Sequence, residues 1–299
     1  DFGPGRLEDI YSQIVQSPVA RKTILVGGTN GKGSTIEFLK NFLLSAGYKI
    51  GSYTSPHLLE FNERIKINDK SVEDKKIIRS FERIDKLKKK TRLTYFDYAT
   101  LAAFDIFSEE ELDFAILEIG IGGKYDPVNL INSDLSIITN IELDHEKWLG
   151  SSLEDIGDQK AAILKKGKLA ILGSEEMPNS VMTMATEICS SHFQLNKDFF
   201  VHEDKTHWSY SFSEKDCNLD LLSNGSLNSD AAASALTAYN LLSNREVGFQ
   251  SIIENTQLKG RCDIVNNFIL DVSHNPASVK NLISFIKKNF KERKFKAIF

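Results

Sequence analysis

Residues 25–35, LVGGTNGKGST, constrain this chain more than any other stretch. An apolar run over 23–26 enters a turn carrying Gly27, Gly28, Gly31 and Gly33 around a single lysine, Lys32, and a helical pattern follows at once. Strand, glycine loop and helix in that order build an anion cradle. Backbone N–H groups and the positive helix end converge on the anion, and the lysine adds a compact charge. The glycines let the backbone approach closely, and Ser34 and Thr35 offer hydroxyls to a phosphate-bound Mg²⁺. The stretch Gly28, Thr29, Asn30, Gly31, Lys32, Gly33, Ser34 and Thr35 is therefore expected to hold a nucleoside triphosphate. It departs from G-x-x-x-x-G-K-[ST]: Val26 occupies the first glycine position, and Gly33 separates Lys32 from Ser34. An ordinary glycine-rich turn is the competing reading, and four glycines around Asn-Gly-Lys disfavour it.

With 299 residues the chain can form two domains, or one and part of another. A net charge of −4 provides no electrostatic footprint for nucleic acid. Cys189, Cys217 and Cys262 have neither metal-ligand spacing nor a disulfide framework, which fits a reducing cytoplasm. No apolar run reaches membrane-spanning length, and the first residues lack a signal-peptide pattern. Both ends read as cut: residue 1 is Asp, and 294–299 reads as a strand that has only begun, so a portion of a longer protein is expected.

Apolar spacing predicts helices over 33–46, 72–90, 98–107, 153–164, 231–242 and 277–290, and strands over 23–26, 50–53, 114–119, 135–139, 168–172 and 268–272. Residues 54–68 read as a polar loop, and 193–222 as less regular with a few antiparallel strands. The alternation argues for an α/β fold with a mostly parallel sheet covered by helices on both faces. A boundary is expected near 255–259, dividing a nucleotide-binding unit, 1–256, from the start of a second, Rossmann-like α/β unit, 257–299.

Glu118 interrupts an apolar strand just before a glycine turn. A lone carboxylate there is costly unless paired or bound to a cation, and ligands of open α/β sheets gather at strand C-terminal ends, so a Mg²⁺ ligand is favoured over a structural ion pair. Asp144 and His145 follow the next strand; a histidine there is a candidate metal or phosphate contact. Ser55 can add a hydroxyl to a metal, or can simply belong to a proline turn. Lys160, by pattern alone, is a solvated helix lysine. Asp271, His274 and Asn275 cluster at a strand-to-helix turn where Asn275 can cap the helix.

Together these residues resemble the folylpolyglutamate synthase/dihydrofolate synthase family, a branch of the Mur-type amide ligases. The resemblance runs over nearly the whole chain in order: GTNGKGS (28–34), YTSPHL (53–58), FNERI (61–65), LTYFDY (93–98), LEIGIGG (117–123), LDH (143–145) with WLG (148–150), KAAILK (160–165), Gly260-Arg261 and DVSHNP (271–276). The LTYF and WLG variants look most like the bacterial bifunctional type.

The resemblance implies that ATP phosphorylates a carboxylate and that the amine of L-glutamate then displaces phosphate. The substrates would be dihydropteroate or a reduced folate, and the protein a cytoplasmic monomer without nucleic-acid or membrane partners. It implies catalytic roles for Lys32, His145 and Lys160, and two Mg²⁺ sites, one on Ser55 and Glu118 and one on Glu118 and His145. Lys160 matches the lysine that becomes carbamylated. Arg261, Asp271 and His274 would reach ATP from the second unit, and Phe2, Arg6, Phe96 and Asp144 would form the pterin pocket. Several positions depart from the family pattern. KYDP (124–127) replaces Arg-Leu-Asp-Ala, Ala162 replaces glycine, Lys259 replaces proline and Cys262 an aromatic residue. Ala231 replaces an adenine-contact asparagine, for which Asn228 or Asp230 can substitute. The alternatives are a Mur-type ligase for another carboxylate, and a P-loop nucleotide-binding protein without ligase activity.

Overall fold

The computed structural model describes residues 3–203, 207–222, 228–290 and 294–298; Phe2, expected in the pterin pocket, lies outside them. A 3₁₀ turn (Pro4–Leu7) and α1 (Glu8–Ile14) lead into β1 (Lys22–Gly27), which is buried along almost its whole length. Then come α2 (Lys32–Ser45), β2 (Ile50–Tyr53), β3 (Ile65–Ile67), β4 (Lys70–Ser71), α3 (Asp74–Leu87), α4 (Tyr95–Ser108), β5 (Phe114–Glu118), β6 (Leu135–Ile138), α5 (Glu146–Leu149), α6 (Leu153–Ala161), β7 (Leu169–Leu172), α7 (Asn179–Ile188) and β8 (Ser191–Gln194).

The eight strands order as β4-β3-β2-β5-β1-β6-β7-β8. All neighbours from β2 to β8 pair in parallel, and β3 and β4 add an antiparallel edge. Continuous apolar strands require cover on both faces, and the alternation of β1 shows how it is supplied. Leu25 joins a core under α1, α3, α4, α6 and α7, whereas Ile24 and Val26 join a second core under α2. Reciprocal capping boxes, Thr94 with Asp97 and Ser152 with Asp155, start α4 and α6.

The second core is closed by β9 (Phe199–Glu203), β10 (His207–Phe212) and β11 (Cys217–Leu222), an antiparallel sheet as the sequence led one to expect, together with α8 (Ser229–Leu242) and α9 (Phe249–Asn255). Beyond it, β12 (Asp263–Val265) and β13 (Phe268–Leu270) form a hairpin followed by α10 (Pro276–Asn289). Phe285 is the one buried hydrophobic residue among the described residues of this hairpin–helix unit, while Ile264, Phe268 and Ile283 are exposed.

Two sequence expectations need correction. The stretch 54–68 is not all loop, because Phe61–Arg64 forms a 3₁₀ turn and Ile65–Ile67 a strand whose Ile65 is fully buried. Residues 294–298 form no strand. Among the described residues no helix is long and apolar enough to cross a membrane.

Candidate active site

The registers of the three central strands bring one set of loops level. Val26 pairs with Glu118, and Gly27 pairs with Ile138, so the ends of β1, β5 and β6 meet at one height. Parallel strands place their C-terminal loops on one edge, which is where such sheets hold ligands.

The β1–α2 loop is tied down from β6. Gly28 has φ of 137°, and a Cβ on it would lie 1.9 Å from Thr139 Oγ1, so only glycine fits. The Thr29 and Asn30 amides donate to the Asn140 carbonyl and Oδ1, at 2.9 and 2.8 Å, and Thr139 Oγ1 donates to the Asn30 carbonyl at 2.6 Å. Two amides expected to cradle phosphate are thus already used to shape the loop. The first-turn amides of α2, which by position have no intrahelical acceptor, remain for an anion.

The Gly28 carbonyl accepts from Lys32 Nζ at 3.1 Å and from Lys160 Nζ at 2.9 Å. Lys32 also donates to the Thr29 carbonyl at 3.1 Å. Lys160 is 5% exposed, which overturns the solvated reading of its pattern. Helix α6 carries it beneath the loop, where Ile156 and Ala161 are fully buried. Burial, and after it the Lys32 charge, push the Lys160 amine down to about 7. Burial also lowers Lys32, against the opposing pull of Glu118.

Glu118 is 5% exposed and accepts a hydrogen bond from the Ser55 amide at 3.0 Å. Burial raises its pKa, and Lys32 and the Ser55 amide oppose the rise. It has no ion-pair partner within 4.0 Å among the described residues. The Thr35 hydroxyl is likewise buried without a hydrogen-bond partner. A hard cation meeting Glu118, the Ser55 hydroxyl and substrate oxygens suits these groups, because Mg²⁺ takes few protein carboxylates and completes its shell with water and phosphate. Among the described residues no three His, Cys, Asp or Glu side chains cluster as an all-protein cage. His145 is exposed and left-handed, at φ of 52°.

A cavity of about 550 Å³ opens beside the loop, lined by Gly31, Ser34 and Thr35 on one side and by Arg261 and Asp271 on the other, with Asn228 and Asp230 at its wall. Asp271 accepts from the Cys262 and Ser273 amides at 2.7 and 2.8 Å, so its carboxylate organises its own turn. Arg261 lies close enough to act electrostatically on Lys32 and Glu118. His274 is exposed, 3.7 Å from Asp144. Burial acts to raise Asp144, but Asn275 and His145 outweigh it and hold the carboxyl below its usual range.

The pterin candidates are dispersed in role. Arg6 meets both carboxylate oxygens of buried Asp97, at 2.8 and 2.7 Å, anchoring the N-terminal turn to α4. Phe96 packs near Tyr53 and under Gly120, where a Cβ would come within 2.7 Å of its ring. Sequence reasoning missed Asp126 as a site-shaping group. It is buried and accepts from the Gly120, Ile121 and Val128 amides at 2.9, 3.0 and 2.9 Å, and burial pushes its carboxyl up to about 7. An aspartate before proline is a capping signal that could have marked it.

The family described as Mur ligase middle domain matches residues 26–244. A dihydrofolate synthase/folylpolyglutamate synthase of Buchnera aphidicola is 41% identical, over 84% of this chain and 61% of its own length. That of Escherichia coli is 34% identical, over 96% and 69%. The solved E. coli FolC in complex with DHPP and ADP has a TM-score of 0.91 at 33% identity, covering 99% of this chain and 72% of that one. A bifunctional enzyme solved with Mn, AMPPNP and L-glutamate has a TM-score of 0.84 at 30% identity, over 96% and 70%. The chain thus spans 61% to 69% of the length of these two curated relatives.

Proposed function

Because the chain belongs to the dihydrofolate synthase/folylpolyglutamate synthase family of Mur ligases, we propose that it is an ATP-dependent ligase adding L-glutamate to dihydropteroate, to reduced folates, or to both. One observation carries the reading beyond nucleotide binding. A second amine, Lys160, lies buried beneath the phosphate loop beside Lys32, with Glu118 nearby, and a simple nucleotide switch has no use for it.

In the proposed reaction a substrate carboxylate oxygen attacks the γ-phosphorus of ATP and ADP leaves. The amine of glutamate then attacks the acyl carbon, phosphate departs, and the nitrogen loses a proton as the amide forms. Both reactants of the first step are anions, so positive charge at their meeting point lowers the barrier. Lys32 supplies it from the loop and Arg261 from the hairpin–helix unit. Bound Mg²⁺ would neutralise phosphate charge and polarise the γ-phosphoryl group, with Ser55 and Glu118 as holders of one ion and Glu118 and His145 of a second. A Lys160 amine with a pKa of about 7 is available in its neutral form near neutral pH. Its lone pair can add to carbon dioxide, with loss of a proton, to give an anionic carbamate. We assign ATP contacts to residues 28–35, Arg261, Asp271 and His274, and adenine contacts to Asn228 or Asp230.

We assign Phe2, Arg6 and Phe96 to the pterin, Arg6 acting through Asp97, with Asp144 as the fourth candidate. Residues 1–256 are read as the ATP-binding domain and 257–299 as the start of the glutamate-ligase domain, in a cytoplasmic monomer. The test is ADP release in the presence of glutamate with dihydropteroate, with tetrahydrofolate, and with neither. Release dependent on at least one pterin substrate is expected. Release only with another carboxylate would move the protein to a different Mur-type ligase, and nucleotide binding without release to a P-loop binder.

A further inference from the structure

Three segments far apart in sequence meet at one side chain. Asn275 starts α10, Asn30 lies in the phosphate loop, and Asp144 follows β6. The Asn275 amide donates to Asn30 Oδ1 at 3.1 Å and to Asp144 Oδ2 at 3.0 Å, across 245 and 131 residues. Its oxygen accepts from the Ser278 amide at 2.9 Å and from Asn30 Nδ2 at 3.4 Å. All four hydrogen-bonding positions of the carboxamide are in use, and the residue is 8% exposed.

Capping explains only half of this. A helix N-cap needs an acceptor for the first-turn amides, and aspartate or serine serves as well as asparagine. The NH₂ half of Asn275 contributes nothing to the cap. Both its hydrogens cross to the sheet unit, one to each side of the loop edge. Apolar approaches across the boundary, such as Leu258 to Gly33 and Leu58 to Gly260, add non-directional contact, and Phe285 is the one buried hydrophobic residue among the described residues of the hairpin–helix unit. The ion pair of Lys288 with Glu203 is more than a third exposed at both partners, and exposed pairs contribute little.

We infer that Asn275, with Asn30 and Asp144, forms a clasp that holds the hairpin–helix unit shut against the phosphate loop, and that Asn275 is a positioning residue for Arg261. The connection is mechanical. Asp271 bonds the Cys262 amide at 2.7 Å, and the Val272 amide bonds the Gly260 carbonyl at 3.0 Å. The turn carrying Arg261 and the turn carrying Asn275 therefore move together. In this assignment the Asp144 carboxylate belongs to closure rather than to the pterin. The consequence for nucleotide rests on the proposed function; the closure itself does not.

The discriminating variant is Asn275→Asp. It keeps the cap acceptor, removes both donors, and sets a carboxylate against Asp144. Hydrogen exchange without ligand is read over residues 28–31 and 141–145, which a lost helix cap alone leaves unchanged, and AMPPNP affinity is read by calorimetry. Exchange about tenfold faster in both segments and affinity about tenfold weaker are expected. The double variant Asn275→Asp/Asp144→Asn exchanges donor and acceptor and is expected to recover most of both losses. Unchanged exchange in the single variant overturns the clasp, as does a double variant no better than the single one. If AMPPNP fails to bind the unsubstituted protein, the nucleotide reading fails and exchange alone decides the clasp.

Discussion

The two sides of the cleft are built on opposite principles. On the sheet side, β1 and β5 sit between two cores, and Ile24, Leu25, Val26 and Ile116 are wholly buried. Glycine loop, Glu118 and Lys160 inherit their positions from that packing. On the other side, Arg261 and His274 lie in the turns before and after a hairpin that, with the helix behind it, exposes Ile264, Phe268, Leu270 and Ile283 in the part of that unit this chain contains. Burial of apolar area is the main force that fixes a fold, so the first side is held by its core, while residues 257–290 meet it through the Asn275 hydrogen bonds together with smaller apolar approaches such as Leu258 at Gly33 and Leu58 at Gly260. Half of the site is preformed, and half is set by how the second unit docks.

The largest expected effect tests the preformed half. Lys160→Ala should lower turnover by about 10³-fold while AMPPNP binding survives; full turnover would remove Lys160 from the chemistry. Next comes packing. Ile137→Ala, in the wholly buried β6, should cost about 3 kcal/mol of stability by chemical denaturation. A loss under about 1 kcal/mol would mean that the sheet core is softer than its burial implies.

Acid should then act on Lys160. Its folded pKa, about 7, lies below the ordinary 10.5, so the unfolded chain binds more protons between those values and stability rises with pH across that window. Below about 7 the folded protein must carry a buried charge and the amine can no longer add carbon dioxide. Turnover at saturating substrates should fall on the acid side of pH 7, and added bicarbonate should lift it. A profile flat from pH 6 to 8, checked by ADP release, would count against the carbamate. The smallest effect belongs to the other side. Phe268→Ser, at a ring 61% exposed, should shift stability by no more than about 0.5 kcal/mol. A large loss on thermal melting would show that the hairpin has a partner of its own.

The sheet side was also the more legible in sequence. Apolar runs at 23–26, 114–119 and 135–139 announce parallel strands, because burial on both faces leaves no alternation to disguise them. The glycines declare the loop through sterics alone, as Gly28 against Thr139 illustrates. What stayed hidden depends on contacts between distant residues. Lys160 looks like any helix lysine until α6 is laid under the loop. Arg6 finds Asp97 across 91 residues, and Asn30 and Asn140 join across 110. Asp126 hides because its three bonds go to backbone amides, which carry no sequence signature. The strand at Ile65–Ile67 was masked by the polar residues around it, since three residues leave no room for a periodic pattern.

That edge has a bearing on how the protein behaves in concentrated solution. The sheet ends in β4, two residues long and carrying Lys70, beside Lys66 of β3. A brief, charged border is a poor template for another chain to add a strand, so it discourages sheet-to-sheet aggregation at that margin.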